Sequence, residues 1–133
     1  MEPRKSILYV PAGYGRVYDM GAMQSTFLSD GAETADTYSI SEWWLEPGTP
    51  GPGIHSHDAN DDIFYVLEGT MTFVAGDDTI EATRGAFLRV PAGVKHDFRN
   101  DSDARAGLLN IYIPGGFEQD MPAIVAWFAS QKG

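Results

Sequence analysis

The sequence predicts an all-β sandwich or barrel followed by one short C-terminal helix, and three observations carry that prediction. Short β-forming runs recur between Ser6 and Ile113. Turn-forming glycines, prolines and aspartates separate them. After Pro114-Gly115-Gly116 the apolar residues stop alternating and recur at helical spacing.

The runs, in order, are Ile7 to Val10, Gln24 to Leu28, a longer one from Thr37 to Leu45, Ile63 to Leu67, Thr70 to Val74, Thr79 to Ala82, Ala86 to Val90, and Leu108 to Ile113. His96 falls in a further extended stretch. Gly76-Asp77-Asp78 has the chemistry of a tight hairpin link. The last element, about 117–131, places Phe117, Met121, Ile124, Val125 and Phe128 on one helical face. Asp120 is its expected cap, with Pro122 tolerated in the first turn. The simplest reading of this helix is a lid packed on the outer wall of the barrel. Trp43-Trp44 spans both faces of a strand, so one ring is expected in the core and the other at a rim or interface. No internal repeat or linker interrupts the 133 residues, which are expected to form a single domain, 1–133.

Composition narrows the function classes. The apolar share of 43% is that of a globular chain. A net charge of −10 argues against nucleic acid and against anionic membrane surfaces, both of which need clustered Lys and Arg. The absence of cysteine excludes disulfides, iron–sulfur clusters, zinc ribbons and thiol nucleophiles. Ile7 to Val10 is too short for a signal-peptide core, and no run approaches the length of a membrane span. The expectation is a cytoplasmic protein.

The chain has three histidines, and their placement is the main signal. His55 and His57 form an H-x-H pair, and on a strand two side chains at that spacing share one face, roughly 7 Å apart. They belong to an ordered pattern, His55-x-His57-x4-Asp62-x6-Gly69. A second pattern, Gly85-x5-Pro91-x-Gly93-x2-His96-x3-Asn100, contains the remaining histidine. At average residue usage the second arises by chance on the order of a few times in 100,000 chains of this length. Gly69 and Gly93 suit turn positions with positive φ, and Pro91 pre-sets the turn before His96. Asn100 is expected to tie a loop rather than to act in chemistry.

These two patterns, at 55–69 and 85–100, resemble the signature motifs of the cupin superfamily, and the likeness runs from about Tyr38 to Ile113. Every fixed position of the second motif matches. The first departs twice: Thr49 stands where the family has a leading glycine, and Asp62 where it has a metal-ligating glutamate. Pro114-Gly115-Gly116-Phe117-Glu118 is also similar to single-domain cupins of the quercetin-dioxygenase-like type. The resemblance implies a double-stranded β-helix, the cupin jelly-roll barrel. It also implies one divalent ion held by His55, His57, His96 and Asp62.

Three imidazoles and a carboxylate suit Fe, Mn, Ni, Co, Cu or Zn rather than calcium or magnesium, and the spacing does not choose among them. Aspartate is shorter than glutamate by one carbon–carbon bond, about 1.5 Å. Asp62 therefore either ligates directly or holds a metal-bound water as a general base, which makes it the candidate catalytic residue. Asp61 faces away if the strand has begun, and a solvated loop role is expected for it. Alternation places Phe64 and Val66 on the face of Asp62, and Phe98 on the face of His96. These three are the candidate substrate pocket, although ordinary core packing accounts for Phe64 and Val66 as well.

By resemblance the leading function is a metal-dependent oxygenase acting on an enolic or carboxylate small molecule, with O2 as co-substrate. Isomerases, cyclases and decarboxylases that use the ion as a Lewis acid are the alternative, and a non-catalytic ligand-binding cupin is the third. A homodimer pairing through the strand Ile7 to Val10 is also expected.

Overall fold

The computed structural model describes residues 6–131. Among the described residues, nine strands form two antiparallel sheets. They are β1 (Arg16–Asp19), β2 (Met23–Ser29), β3 (Ser39–Leu45), β4 (Asp61–Glu68), β5 (Thr70–Ala75), β6 (Asp78–Thr83), β7 (Phe87–Val90), β8 (His96–Arg99) and β9 (Ala106–Ile113). The larger sheet has the order β1-β2-β3-β9-β4-β7 and the smaller β6-β5-β8. This is the jelly-roll arrangement expected from the sequence. A short helix α1 (Gly31–Thr34) links β2 to β3. A 3-10 turn (Phe117–Asp120) leads into the helix α2 (Met121–Ser130). No helix among the described residues is long and apolar enough to cross a membrane.

Period-two alternation decides which residues meet inside. β3 buries Ser39, Ser41, Trp43 and Leu45 and turns Trp44 outward. There the Arg105 guanidinium lies 4.5 Å from the Trp44 ring centre. β4 buries Asp62, Phe64 and Val66, β8 buries His96 and Phe98, and β9 buries Leu108, Asn110 and Tyr112. Phe64, Phe73 and Phe98 pack at tilted to T-shaped angles, with centroids 5.2 to 6.2 Å apart. Removing one such ring, as in Phe73→Ala, is expected to cost about 3–5 kcal/mol.

Two close approaches explain two glycines. A Cβ at Gly69, whose φ is +72°, would stand 2.6 Å from the Arg105 carbonyl oxygen. A Cβ at Gly51 would overlap the Phe98 carbonyl oxygen. Thr49, where the motif has glycine, is backed only by a bridge to Asn100 and keeps its side chain. Asn100 is structural, as expected. Its amide donates to the carbonyls of Leu45, Glu46 and Ala104, and its Oδ1 accepts from Ser102. The hairpin between β5 and β6 turns through Gly76 and Asp77, with Ala75 opposite Asp78.

Four expectations are corrected. Ile7 to Val10 is not a strand, and Ile7 is 98% exposed. The edge strand of the large sheet is instead β1, which pairs with β2 from Arg16 opposite Phe27 to Asp19 opposite Gln24. The H-x-H pair does not lie on a regular strand: His55 makes a single bridge to His96, and His57 lies in the loop beyond it. Asp120 makes no side-chain cap for α2. The N–H groups that start the 3-10 turn are satisfied from across the molecule, Gly116 and Glu118 each donating to Asp30 at 2.6 Å. α2 packs Met121, Ile124, Val125 and Phe128 onto the core, as its spacing predicts. Its Ile124, with Asp120 before it, lines a chamber together with His55 and His57, so the helix covers the site and not the outer wall alone.

Candidate metal centre

Three chain segments bring the candidate ligands together. β4 supplies Asp62 and β8 supplies His96, both from inward-facing positions. The segment between β3 and β4 supplies His55 and His57. Its backbone is held by two bonds, His55 N–H to the His96 carbonyl at 3.0 Å and His96 N–H to the His55 carbonyl at 2.8 Å. One ligand atom from each of His55, His57, Asp62 and His96 lies within 4.8 Å of the other three.

Each ring is oriented through its Nδ1. That atom lies 2.6 Å from the Gly53 carbonyl in His55 and 2.9 Å from the Val94 carbonyl in His96. A carbonyl can only accept, so both Nδ1 atoms carry a proton. In His57 the Nδ1 is 3.2 Å from the Tyr112 hydroxyl. All three Nε2 atoms are thereby turned to the shared interior, the arrangement that prepares imidazole to ligate a metal. Burial lowers the pKa of His55, reinforced by the other two histidines, so its ring is neutral at neutral pH.

The carboxylate is the electrostatic centre of the group. Asp62 Oδ2 lies 2.8 Å from His96 Nε2 and 3.2 Å from His57 Nε2. Burial alone would raise the Asp62 carboxyl. The neighbouring imidazoles and the Asn110 amide outweigh it and hold the group well below the usual carboxylate range. His96 shifts upward against its own burial because it hydrogen-bonds that carboxylate.

The donor set fits a transition-metal ion. His57 Nε2 is buried and, although within 3.2 Å of Asp62, is off the hydrogen-bonding direction and has no hydrogen-bond partner among the described residues. A buried polar atom left unmatched is costly unless something else binds it, and a metal ion would. Beside the cluster is an inner cavity of about 30 Å³, lined by His55, Asp62 and Asn110 and walled by Trp43, Pro52, Phe64, Phe98, Phe117 and Ile124. An outer chamber of about 270 Å³ adjoins it, sharing Pro52, His55, Phe117 and Ile124 and adding His57 and Asp120.

The cupin domain family profile matches residues 41–112, more than half of the chain. The chain belongs to the cupin domain family. Over 64 residues it is 38% identical to quercetin 2,3-dioxygenase of Bacillus subtilis, an alignment covering 48% of this chain and 19% of that enzyme. It is 36% identical to an uncharacterized protein of Streptomyces coelicolor over 65 residues, 49% of this chain and 60% of that protein. The match therefore spans less than two thirds of either relative. Among solved structures, KdgF from Halomonas sp. superposes with a TM-score of 0.73 at 13% identity, over 86% of this chain and 99% of that one. An RmlC-like cupin from Shewanella frigidimarina gives 0.72 at 18% identity, over 87% and 98%. At those identities the likeness is one of fold.

In this cupin the shorter carboxylate is braced from β9. Asn110 Nδ2 donates to Asp62 Oδ1 at 2.8 Å and lies 3.2 Å from the Ile63 carbonyl. Two residues along the same face, Tyr112 meets His57. Its hydroxyl is pushed up to about 12, by burial first and then by the charges of Asp62, Asp120 and Asp30, and stays neutral. Neither residue was singled out by sequence reasoning, yet a polar amide in the middle of the apolar run Leu108 to Ile113 was a readable signal. Asp61 has a turn role: its Oδ1 accepts the Ala92 N–H at 3.0 Å.

Of the three candidate pocket residues, Phe64 and Phe98 line the inner cavity. Val66, 1% exposed, packs in the core and lines neither chamber. Trp43 and Phe117 take the place expected of it. Phe117 roofs the site, its ring centre 6.2 Å from those of His57 and Trp43 and 5.1 Å from Tyr112. The turn that carries it is fastened twice, by Asp30 as described and by Glu118, which accepts from Arg16 Nε at 2.6 Å and from the Tyr18 hydroxyl at 2.7 Å.

Proposed function

We propose that this cupin is a metal-dependent small-molecule oxygenase of the quercetin-dioxygenase-like type, acting with O2 on an enolic or carboxylate organic substrate. The observation that carries the reading is the gathering of three imidazoles and one carboxylate against an apolar-walled cavity that continues into a larger chamber. The 38% identity to a quercetin 2,3-dioxygenase over the motif-bearing half of the chain supports it.

In this reading His55, His57, His96 and Asp62 hold one divalent transition-metal ion. Such an ion supplies an electrophilic centre for an enolate and, where it is redox-active, for O2. Asn110 and Tyr112 orient Asp62 and His57. Asp62, the carboxylate that lines the inner cavity, either ligates the ion directly or holds a water as a general base and receives the proton released as the substrate enolises. Phe64, Phe98, Trp43 and Phe117 exclude water around the reacting carbon. The proposal extends to a cytoplasmic homodimer of one-domain chains, with no nucleic-acid or membrane partner at a net charge of −10.

The test is metal analysis of protein purified without added metal, followed by oxygen-electrode screening of enolic aromatic compounds. Oxygen uptake that needs the bound metal and disappears in His96→Ala is the expected result. Conversion without oxygen consumption would instead assign a Lewis-acid isomerase, cyclase or decarboxylase, and tight binding without turnover a ligand-binding protein.

A further inference from the structure

The two chambers carry a specificity statement in what their side chains leave unoccupied. Among the described residues, apart from the imidazole Nε2 atoms that would face the ion, the side-chain donors that line them are engaged within the protein. The Nδ1 atoms of His55 and His57 face the Gly53 carbonyl and the Tyr112 hydroxyl. Asn110 spends its amide on Asp62 and Ile63. The Trp43 indole N–H donates to Ser41 Oγ at 2.9 Å. Among the described residues no lysine or arginine lines either chamber. Arg16, Arg99 and Arg105 are each paired with carboxylates elsewhere. The one charged side chain added at the entrance, Asp120, is acidic.

From this we infer that the site selects a neutral, enol-forming carbonyl compound of about one ring in size and rejects dicarboxylates. The inference narrows the proposed function and rests on its metal centre, but not on its oxygen chemistry. A divalent ion with one carboxylate ligand retains one positive charge, enough for a single anionic oxygen. A second carboxylate would lie against Trp43, Pro52, Phe98, Phe117 and Ile124 with neither a cation nor a free side-chain donor to meet it. Burying an unpaired charge in such surroundings is strongly unfavourable. Size agrees, because an outer chamber of about 270 Å³ lies below the usual range for drug-sized ligands, about 300–1,000 Å³.

Acetylacetone and malonate share a skeleton and differ in charge, which makes them matched probes. Binding of each to Ni²⁺-loaded protein is measured by calorimetry without oxygen. Acetylacetone should bind at least about tenfold more tightly than malonate. Equal or tighter binding of malonate, or binding of neither probe by metal-loaded protein, overturns the inference. Ile124→Arg places a guanidinium on the wall shared by both chambers and should shift the ratio of malonate to acetylacetone affinity about tenfold toward malonate. Asp120→Lys, at an exposed residue of the outer chamber, gives the same readout if the first variant fails to fold. No gain for malonate in a folded variant overturns the assignment. Preference for acetylacetone in a protein that never consumes oxygen would remove the oxygenase reading and leave this one standing. Oxygen consumption in a protein that prefers malonate would do the reverse.

Discussion

Asn110 on β9 and Asp62 on β4 are joined by a 2.8 Å hydrogen bond between strands that lie side by side. The bond fixes Oδ1 and leaves Oδ2 facing the imidazoles of His57 and His96. A carboxylate one methylene shorter than the family's glutamate is thus held in place by a neighbour instead of by its own length. Asn110→Leu removes the brace at similar volume and strands Oδ1 without a partner. Metal affinity should fall about ten- to a hundredfold with the fold retained, as read by chelator competition and circular dichroism. Unchanged affinity would show that Asp62 needs no support.

Asp62→Glu should keep or tighten metal binding, because glutamate is the residue of the family's motif. Asp62→Asn should weaken it, since the amide cannot supply the negative charge. Metal content by mass spectrometry after dialysis checks both. Equal content in wild type and Asp62→Ala would leave a site of three histidines.

His55→Ala and His96→Ala should each remove most of an expected single equivalent of metal. The His96 variant should also destabilise metal-free protein more, because it leaves the buried Asp62 without its 2.8 Å partner. Full retention of metal in both would refute the ligand set.

Much of this architecture could be read from the sequence, and the exceptions have physical causes. Short β-forming runs between turn residues marked β2 to β7 and β9, and β2, β3 and β4 bury alternate residues as such runs should. β1 was missed because four residues with Arg16 and Asp19 at the ends show no alternation. Ile7 to Val10 looked like a strand because its residues favour extended structure, but nothing in the described chain pairs with it. His55, His57, Asp62 and His96 were legible through spacing. Their supports were not, because Asn110, Tyr112 and Phe117 reach the site only through the register of β9 with β4 and the closure of a distant turn.

Glu118 links acid stability to the roof of the site. Burial would raise its pKa, but the Arg16 guanidinium and the Tyr18 hydroxyl outweigh that and bring it below the ordinary 4.5. A depressed carboxyl stabilises the folded state fully above its unfolded value and loses the contribution as pH falls through the folded one. Wild type should therefore melt higher than Glu118→Gln at neutral pH. The gap should begin to close below pH 4.5 and vanish in stronger acid. A gap independent of pH in thermal melts would assign the effect to packing alone.

The N-terminal segment bears on assembly. Ile7, Leu8 and Tyr9 are exposed, and β1 is a free edge of the large sheet. Sedimentation should give a dimer at micromolar concentration, weakened by deletion through Val10 with metal content unchanged. A monomer would contradict the proposed assembly.

The roof over the histidines is tied from both ends of the chain, Arg16 to Glu118 across 102 residues and Asp30 to Gly116 across 86. Segments so far apart in sequence meet late in folding, after the hairpins whose partners are close. Their attachment is also the natural place for partial opening, because α2 leaves most of its residues solvent-exposed. Amide hydrogen exchange should accordingly be faster at residues 116–130 than in β4 and β9. The cluster of imidazoles would then reach solvent through brief detachment of the C-terminal turn while both sheets stay intact.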